Sequence, residues 1–240
     1  MPLTTGQTGC QTTGPTQEGS QMPSARYKRM DPEVQRRILD TARAEFLQHG
    51  YEGASINRII QAAGINKGSL YYYFEDKADL FVRVVQDAQD EMIRCVAALD
   101  LDEVLKDPPR DFWGYLENAS LQKIAFAIHH PDLTRLSSDF LLQASKPGAP
   151  ARFTAFMRQA RDLLGTLLKM GQDQGAVRTD LPLEMLIDLG MAVSAIMNRP
   201  ILEDISFLEG LGPEDIHGYA APQLDMMRRM LHVPKGEALQ

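Results

Sequence analysis

Apolar residues recur every three or four positions along most of the chain, which is the spacing that places them on one face of an α-helix. The first such stretch is marked by four residues at intervals of four: Val34, Ile38, Ala42 and Phe46. Asp31 and Pro32 stand just before it, and these residue types favour the cap and the first turn of a helix. Gly50 suits its end. The pattern therefore predicts a helix from about residue 32 to 50.

Two shorter helices follow within 25 residues. Ser55 is placed to cap the first of them, whose apolar positions are Ile56, Ile59, Ile60 and Ala63. Gly64 ends this pattern, and Asn66 can cap a third helix that runs to Tyr73. Two short helices joined by a brief turn around a glycine form a helix-turn-helix.

The remaining pattern is also helical, and no apolar alternation of the kind that marks a β-strand occurs. Asp76, with Asp79 three residues later, predicts a capped fourth helix that continues to about Ala98. Further helices are expected at 111–129, 131–144, 151 to about 174, 181 to about 198, and 222–232, with Asp107-Pro108-Pro109 and Lys146-Pro147-Gly148 as breaks. The sequence thus predicts an all-α fold.

The third helix offers an unusual set of side chains outside its apolar face. Its small, polar and flat aromatic groups are Asn66, Lys67, Gly68, Ser69, Tyr71 and Tyr72. A helix with such groups at its amino end can enter the major groove of DNA and place its first residues at the base edges. Tyr73 and Phe74 are expected to pack inside.

The run AGINKGSLYYYFEDKADL, at residues 63–80, closely resembles the DNA-binding signature of the tetracycline-repressor (TetR) family of bacterial regulators. The segment from Arg37 through Phe46, the Gly50-Tyr51 pair and Ser55 also fit, whereas Ile60 replaces the usual alanine. The resemblance implies a homodimer in which an N-terminal helix-turn-helix domain of three helices binds DNA. It also implies a larger C-terminal helical domain that binds a ligand and dimerises.

On this resemblance the chain is divided into a disordered tail at 1–25, a DNA-binding domain at 26–77 and a ligand-binding and dimerisation domain at 78–240. The third helix would contact bases, while Ser55 and Lys77 would hold phosphates. Arg26 and Lys28 are interpreted either as a solvated leader or as an arm that reaches the DNA backbone or minor groove.

The family pattern also suggests how the C-terminal domain works. The last two helices would form a four-helix bundle across the dimer axis, using Leu186, Leu189, Val193, Ile196, Met197, Leu224, Met227 and Leu231. Two interpretations are open for a set of large apolar residues in this domain: they line an apolar effector pocket, or they are plain core, which helical spacing more often indicates. The set is Trp113, Phe126, Phe153, Phe156, Met157 and Met191. The fourth helix would transmit effector binding to the DNA-binding domain.

Charge is distributed unevenly between the two predicted domains. The chain carries a net charge of −7, yet residues 26–77 contain nine basic and seven acidic side chains, whereas residues 78–240 contain 16 basic and 24 acidic ones. Nucleic-acid contact is therefore expected at the N-terminal end only. Two cysteines and no membrane-length apolar run favour a soluble cytoplasmic protein.

Enzymatic alternatives lack their usual motifs. Lys67-Gly68-Ser69 has the wrong order for a phosphate-binding loop, and no paired-histidine zinc motif, C-x-x-C or G-x-S-x-G motif occurs. We therefore expect no catalytic residue, metal or cofactor. We expect a DNA-binding regulator that acts as a repressor and is released by a small apolar ligand. The alternative is a ligand-independent DNA-bound adaptor or an activator of the same fold.

Overall fold

Helices make up the regular structure of the protein. The computed structural model describes residues 29–96, 100–203 and 213–232. In these ranges the helices are α1 (Pro32–Gly53), α2 (Ile56–Ala63), α3 (Lys67–Tyr73), α4 (Lys77–Cys95), α5 (Leu101–Lys106), α6 (Phe112–His129), α7 (Pro131–Ala144), α8 (Ala151–Asp173), α9 (Leu183–Glu203) and α10 (Pro213–Leu231). No strand occurs among the described residues, which confirms the predicted all-α fold.

The first four helices begin at the caps that the sequence predicts. The carboxylate of Asp31 accepts a hydrogen bond from the N–H of Glu33 at the start of α1. The side chains of Ser55, Asn66 and Asp76 each accept one from the N–H three residues later. Each cap satisfies a donor that the first turn of a helix leaves unpaired. The positions of α1 to α4 are therefore set largely by local sequence.

Two glycines shape the helix-turn-helix. Gly50 has φ of 64° and ψ of 173°, so the backbone of α1 kinks there before a last short turn. Gly64 has φ of 63° and ψ of 35°, the left-handed conformation that ends α2. A residue with a Cβ is strained at such angles, so both positions favour glycine.

Some predicted boundaries are wrong. The short helix α5 was not predicted, because its six residues are too few to show a helical period. The last helix begins at Pro213 rather than Pro222, which lies inside it. Proline favours the start of a helix, because in a helix interior it removes one hydrogen bond and clashes with the preceding turn. Pro222 therefore indicated a helix start, whereas α10 contains it in its interior. α4 ends at Cys95, and residues 97–99 of its predicted end lie outside the described residues.

The largest apolar core joins the DNA-binding helices to the rest of the molecule. Phe46 of α1 and Phe81 of α4 lie 4.7 Å apart between ring centroids, and Phe140 of α7 lies 5.1 Å from Phe153 of α8. Phe81 contacts both of the latter rings. We call this set of packed residues the aromatic core. The predicted boundary between the two domains, at residue 77, falls at the start of α4, and the aromatic core contains residues from both sides of that boundary.

Polar contacts reinforce the same junction. The carboxylate of Asp139 on α7 accepts a hydrogen bond of 2.8 Å from the backbone N–H of Tyr51. Arg152 at the start of α8 forms ion pairs with Glu75, which precedes α4, and with Asp79, which lies in its first turn. α7 and α8 thus hold the DNA-binding helices by charged groups as well as by aromatic rings.

The predicted dimer residues differ in burial, and three of them, Leu189, Leu224 and Met227, are partly buried. Leu186, Val193 and Leu231 have exposed fractions of 0%, 7% and 1%, so they pack within the protomer and their assignment to a dimer interface is wrong. Helical spacing alone does not tell whether an apolar face meets its own chain or a second one. Ile196 is 68% exposed, and the side chain of Met197 lies outside the described residues.

None of the helices in the described ranges has the length and apolar character needed to span a membrane.

Candidate nucleic-acid interface and effector cavity

α3 has one buried face and one exposed face. Leu70 and, just after the helix, Phe74 are 1% and 3% exposed and anchor it in the aromatic core. Tyr71 and Tyr72 are 45% and 54% exposed on the other side, and Lys67 and Gly68 are exposed beside them. The Lys67 ammonium lies 5.8 Å from the centroid of the Tyr71 ring. α3 therefore presents cationic and aromatic groups to solvent from a rigid base.

The helix-turn-helix is held in shape by contacts from α1. The guanidinium of Arg37 donates a hydrogen bond of 2.8 Å to the carbonyl of Ala63 at the end of α2. A cation at that position is favourable because the carbonyl end of a helix is electronegative. Together with the Gly64 turn, this contact fixes the angle at which α3 leaves α2.

An ionic network around the buried side chain of Glu45 fixes the start of α2. The Glu45 carboxylate on α1 accepts hydrogen bonds of 2.8 Å from the N–H of Ser55 and from Nε of Arg58. Burial alone would raise the pKa of Glu45, but the bonds from Arg58 and Ser55 outweigh it and lower that pKa below its ordinary value. The carboxylate stays charged at neutral pH and joins α1 to α2.

Asn66 and Ser69 were predicted to reach DNA bases, and the structure gives them a structural contact as well. Oδ1 of Asn66 accepts a hydrogen bond of 2.7 Å from the N–H of Ser69. The amide NH₂ of Asn66 and the hydroxyl of Ser69 take no part in this cap. Asn66 is exposed and Ser69 is partly buried at the amino end of α3.

Ser55 and Lys77, the predicted phosphate ligands, are also engaged within the protein. Ser55 caps α2. Nζ of Lys77 donates to the carbonyl oxygens of Glu52 and Ala54 at 3.0 and 3.3 Å and lies 4.8 Å from the centroid of the Tyr51 ring. These two bonds use two of the three N–H groups of the ammonium. Arg26 and Lys28 lie outside the described residues.

The aromatic residues predicted to line an effector pocket mostly fill cores instead. Phe153, Phe156 and Met157 belong to the aromatic core, and Phe126 packs with Ala88 and Leu133. Trp113 packs against a separate C-terminal core and bonds through Nε1 to the carbonyl of Ala176. Large apolar side chains at helical spacing close space rather than leave it open. Of the six predicted residues, only Met191 lines the cavity described next.

A cavity of about 400 Å³ lies among α6, α7, α8, α9 and α10. Small side chains leave this volume open: Ser120, Ala127, Ser137, Ser138, Gly190, Ser194 and Ala220. Longer apolar side chains close it, among them Ile124, Leu141, Leu164, Leu224 and Met227. Its size is at the lower end of the range of small-molecule sites, so it suits a compact ligand.

Lys123 of α6 also lines this cavity, and sequence reasoning missed it. Its side chain has accessible surface, yet protein packed around it desolvates the ammonium and lowers its pKa. Lys123 thus lines the cavity and keeps surface that solvent can reach. Lys123 is the one charged residue in the sequence between Glu117 and His129, a signal that could have identified it.

α2, the turn at Gly64 and α3 form a helix-turn-helix, and α3 is anchored on one face and open to solvent on the other. This arrangement is that of helix-turn-helix DNA-binding proteins. Residues 38–84 match the family model described as "Bacterial regulatory proteins, tetR family". The HTH-type transcriptional repressor AcnR of Corynebacterium efficiens is 29% identical over 153 residues, which are 62% of this chain and 71% of that protein. The HTH-type transcriptional repressor SCO4008 of Streptomyces coelicolor is 28% identical over 165 residues, which are 68% of this chain and 78% of that protein.

Solved structures share the whole fold. The transcriptional regulator FadR from Bacillus subtilis, in complex with stearoyl-CoA, has a TM-score of 0.62 at 14% identity and covers 82% of this chain and 99% of that one. A TetR family transcriptional regulator from Chloroflexus aurantiacus has a TM-score of 0.53 at 23% identity, with coverage of 88% and 99%. The family model, the relatives and the solved structures together support a TetR family transcriptional regulator. Members of that family are DNA-binding transcription factors and not enzymes.

Proposed function

We propose that this protein is a repressor that binds a palindromic operator as a homodimer and is released from it by a small molecule in the C-terminal cavity. The observation that carries the proposal is α3, whose exposed Lys67, Tyr71 and Tyr72 stand opposite the buried anchors Leu70 and Phe74. Access to an operator requires a location with the chromosome, so the proposal places the protein in the cytoplasm.

The residues of α3 have distinct roles in this proposal. Lys67 and Tyr71 contact bases in the major groove, with the Asn66 amide and the Ser69 hydroxyl beside them at the helix start. Tyr72 packs against a base or the sugar-phosphate backbone, and Gly68 lets the backbone approach closely. Three further groups would hold phosphates and set register without reading sequence: Ser55, Lys77, and the Arg26 and Lys28 arm.

Dimerisation supplies the second half-site. Met185 and Ile196 of α9 are 49% and 68% exposed, and Met226 of α10 is 46% exposed. Large apolar side chains exposed together on adjacent helices favour association with another surface. We therefore assign the dimer contact to this exposed face instead of the buried Leu186, Val193 and Leu231. A two-fold pair would place its recognition helices in successive major-groove turns.

α7 offers a direct route from the cavity to the DNA-binding helices. Ser138 and Leu141 of α7 line the cavity, whereas the adjacent Asp139 and Phe140 contact Tyr51 and the aromatic core. A ligand that shifts α7 would therefore move the attachment of α1 and α4. This extends the predicted role of α4, which packs against α7 through Phe81. The ligand must bind the two arrangements with different affinity to have an effect.

A ligand-independent adaptor of the same fold is the second candidate. Such a protein would need no internal space, because it would act through an outer surface. The 400 Å³ cavity between α6 and α10 favours the ligand-responsive function over it. Activation in place of repression depends on operator position, and the relatives named as repressors support repression.

Selection of bound DNA from a random pool at physiological salt tests the proposal. The expected result is a short palindrome with half-site centres about 34–36 Å apart, one helical turn of DNA. A sequence preference without two-fold symmetry would contradict the dimeric mode. Recovery of no preferred sequence by ligand-free protein, refolded to remove any copurified molecule, would contradict operator binding.

A further inference from the structure

Several hydrogen-bond donors of the cavity lining have no partner among the described residues. Within the described residues, the Lys123 ammonium makes no hydrogen bond or ion pair, and the Ser120 and Ser138 hydroxyls also make none. Other polar groups of the lining are engaged: the Thr134 and Ser137 hydroxyls donate to backbone carbonyls of α6 and α7. Ser120 and Lys123 are three residues apart on α6, so they share a helix face.

No acidic side chain is found beside this ammonium in the part of the lining that the structure describes. Among the lining residues that the structure describes, Lys123 is the one charged group, and neither an Asp nor a Glu is present. A desolvated ammonium without a counter-charge is unfavourable in a protein. Its lowered pKa, caused by desolvation, records that cost. An anion placed beside Lys123 would offset this free-energy cost.

We propose that the cavity binds an amphipathic carboxylic acid, with its carboxylate held by Lys123, Ser120 and Ser138 and its hydrocarbon part against the apolar wall. This inference rests on the proposed function, in which the cavity holds the effector, and it replaces the predicted apolar ligand by an acidic one.

The lining as a whole fits that class of ligand. The apolar wall includes Leu164, Leu224 and Met227, which bury a hydrocarbon chain and adapt to its shape. A cationic ligand would be repelled by Lys123 and would find no carboxylate. A neutral alcohol would fill the same volume and leave the ammonium unpaired, so it would bind more weakly.

Binding of matched ten-carbon probes tests the proposal. Decanoate, 1-decanol and decylamine are titrated calorimetrically into wild-type protein and into Lys123→Met. Lys106→Met is the matched control, because Lys106 is an exposed lysine on α5 that pairs with Glu103 at the surface. Decanoate should bind wild type and the control at least about 10-fold more tightly than 1-decanol, the effect of one hydrogen-bonded charge. Lys123→Met should lose that preference and still bind the alcohol.

The possible outcomes separate the ligand class from the proposed function. Equal affinity for acid and alcohol, an unchanged preference in Lys123→Met, or failure of decanoate to bind would each overturn the inference. Retained binding of 1-decanol by Lys123→Met shows that this variant still folds around the cavity. Operator affinity is measured separately: decanoate that binds through Lys123 without changing operator affinity would support the site and contradict release by the cavity ligand.

Discussion

Removal of the Asp139 carboxylate should loosen the attachment of α7 to the DNA-binding helices. Asp139 accepts the N–H of Tyr51 at 2.8 Å and the side-chain amide of Gln143 at 3.0 Å. The Tyr51 N–H follows the kink at Gly50, where the backbone of α1 is not helical. Asp139→Ala removes both bonds, whereas Asp139→Asn keeps an acceptor and loses only the charge.

The size of the effect follows from the kind of bond. A hydrogen bond to a charged group contributes about 1.5–3 kcal/mol, so Asp139→Ala should lower the free energy of unfolding by about 2 kcal/mol. For a chain of this size that corresponds to a fall in Tm of about 4–8 °C. Asp139→Asn should cost roughly half as much, because neutral hydrogen bonds are weaker.

Hydrogen exchange at the Tyr51 amide is the most specific assay. A loss of about 2 kcal/mol corresponds to roughly 30-fold faster exchange of that amide. Asp173→Ala is a suitable control, since Asp173 forms an exposed ion pair with Lys169 on α8 and such pairs contribute about 0–1 kcal/mol. In Asp139→Ala, operator affinity should also respond less to a ligand bound in the cavity.

Unchanged exchange at Tyr51 in Asp139→Ala would refute the reasoning, because the amide would then be protected by something other than this carboxylate. Faster exchange throughout the chain, equal to that of a generally destabilised protein, would show that the contact supports the fold without being a local attachment.

Three further predictions concern the interface, acid stability and the dimer. Tyr72→Ala should weaken operator binding roughly 10-fold and leave Tm nearly unchanged, because its ring is exposed; Lys77→Ala should also lower Tm, since its ammonium joins two carbonyls. Because the pKa of Glu45 is lowered in the folded protein, its charged carboxylate stabilises the fold above pH 4.5, the ordinary pKa, and this contribution is lost as the pH falls through the folded pKa. The Tm of Glu45→Gln should therefore lie below that of wild type at neutral pH and approach it only in acid. Ile196→Glu should sediment as a monomer in analytical ultracentrifugation. Its Tm should be almost unchanged, because Ile196 is exposed in the protomer.

Each of these has a contradicting result. Loss of Tm in Tyr72→Ala would identify its ring as part of the core. A stability difference between Glu45→Gln and wild type that stays constant below pH 4.5 would mean that the charge of Glu45 does not matter. A dimer that persists in Ile196→Glu would exclude the exposed face of α9 as the contact.

The sequence predicts the DNA-binding unit well because its signals are local. Ser55, Asn66 and Asp76 cap helices from adjacent positions, and Gly64 has the one backbone conformation that its turn requires. These features depend on residues within about four positions of one another. The resemblance to a known family adds the role of the exposed face of α3.

The C-terminal site is far less predictable, because it depends on which helices meet. Phe153 and Phe156 were expected in a pocket and fill the aromatic core, while small residues such as Ser138 and Gly190 leave the real cavity open. The bond from Tyr51 to Asp139 spans 88 residues, and no local pattern reports it. Apolar periodicity identifies the faces of helices without identifying their partners.

Site-directed cleavage of DNA tests the central claim, that α3 of each protomer lies in a major groove of one operator. An iron chelate is attached at position 69 through Ser69→Cys, with Cys10→Ser and Cys95→Ser, and bound to the selected operator. Attachment at the exposed Cys95, with Cys10→Ser alone, is the control. The expected result is two clusters of strand breaks about one helical turn apart, one in each half-site, and no breaks from position 95. A single cluster, or breaks spread evenly along the DNA from both positions, would contradict it.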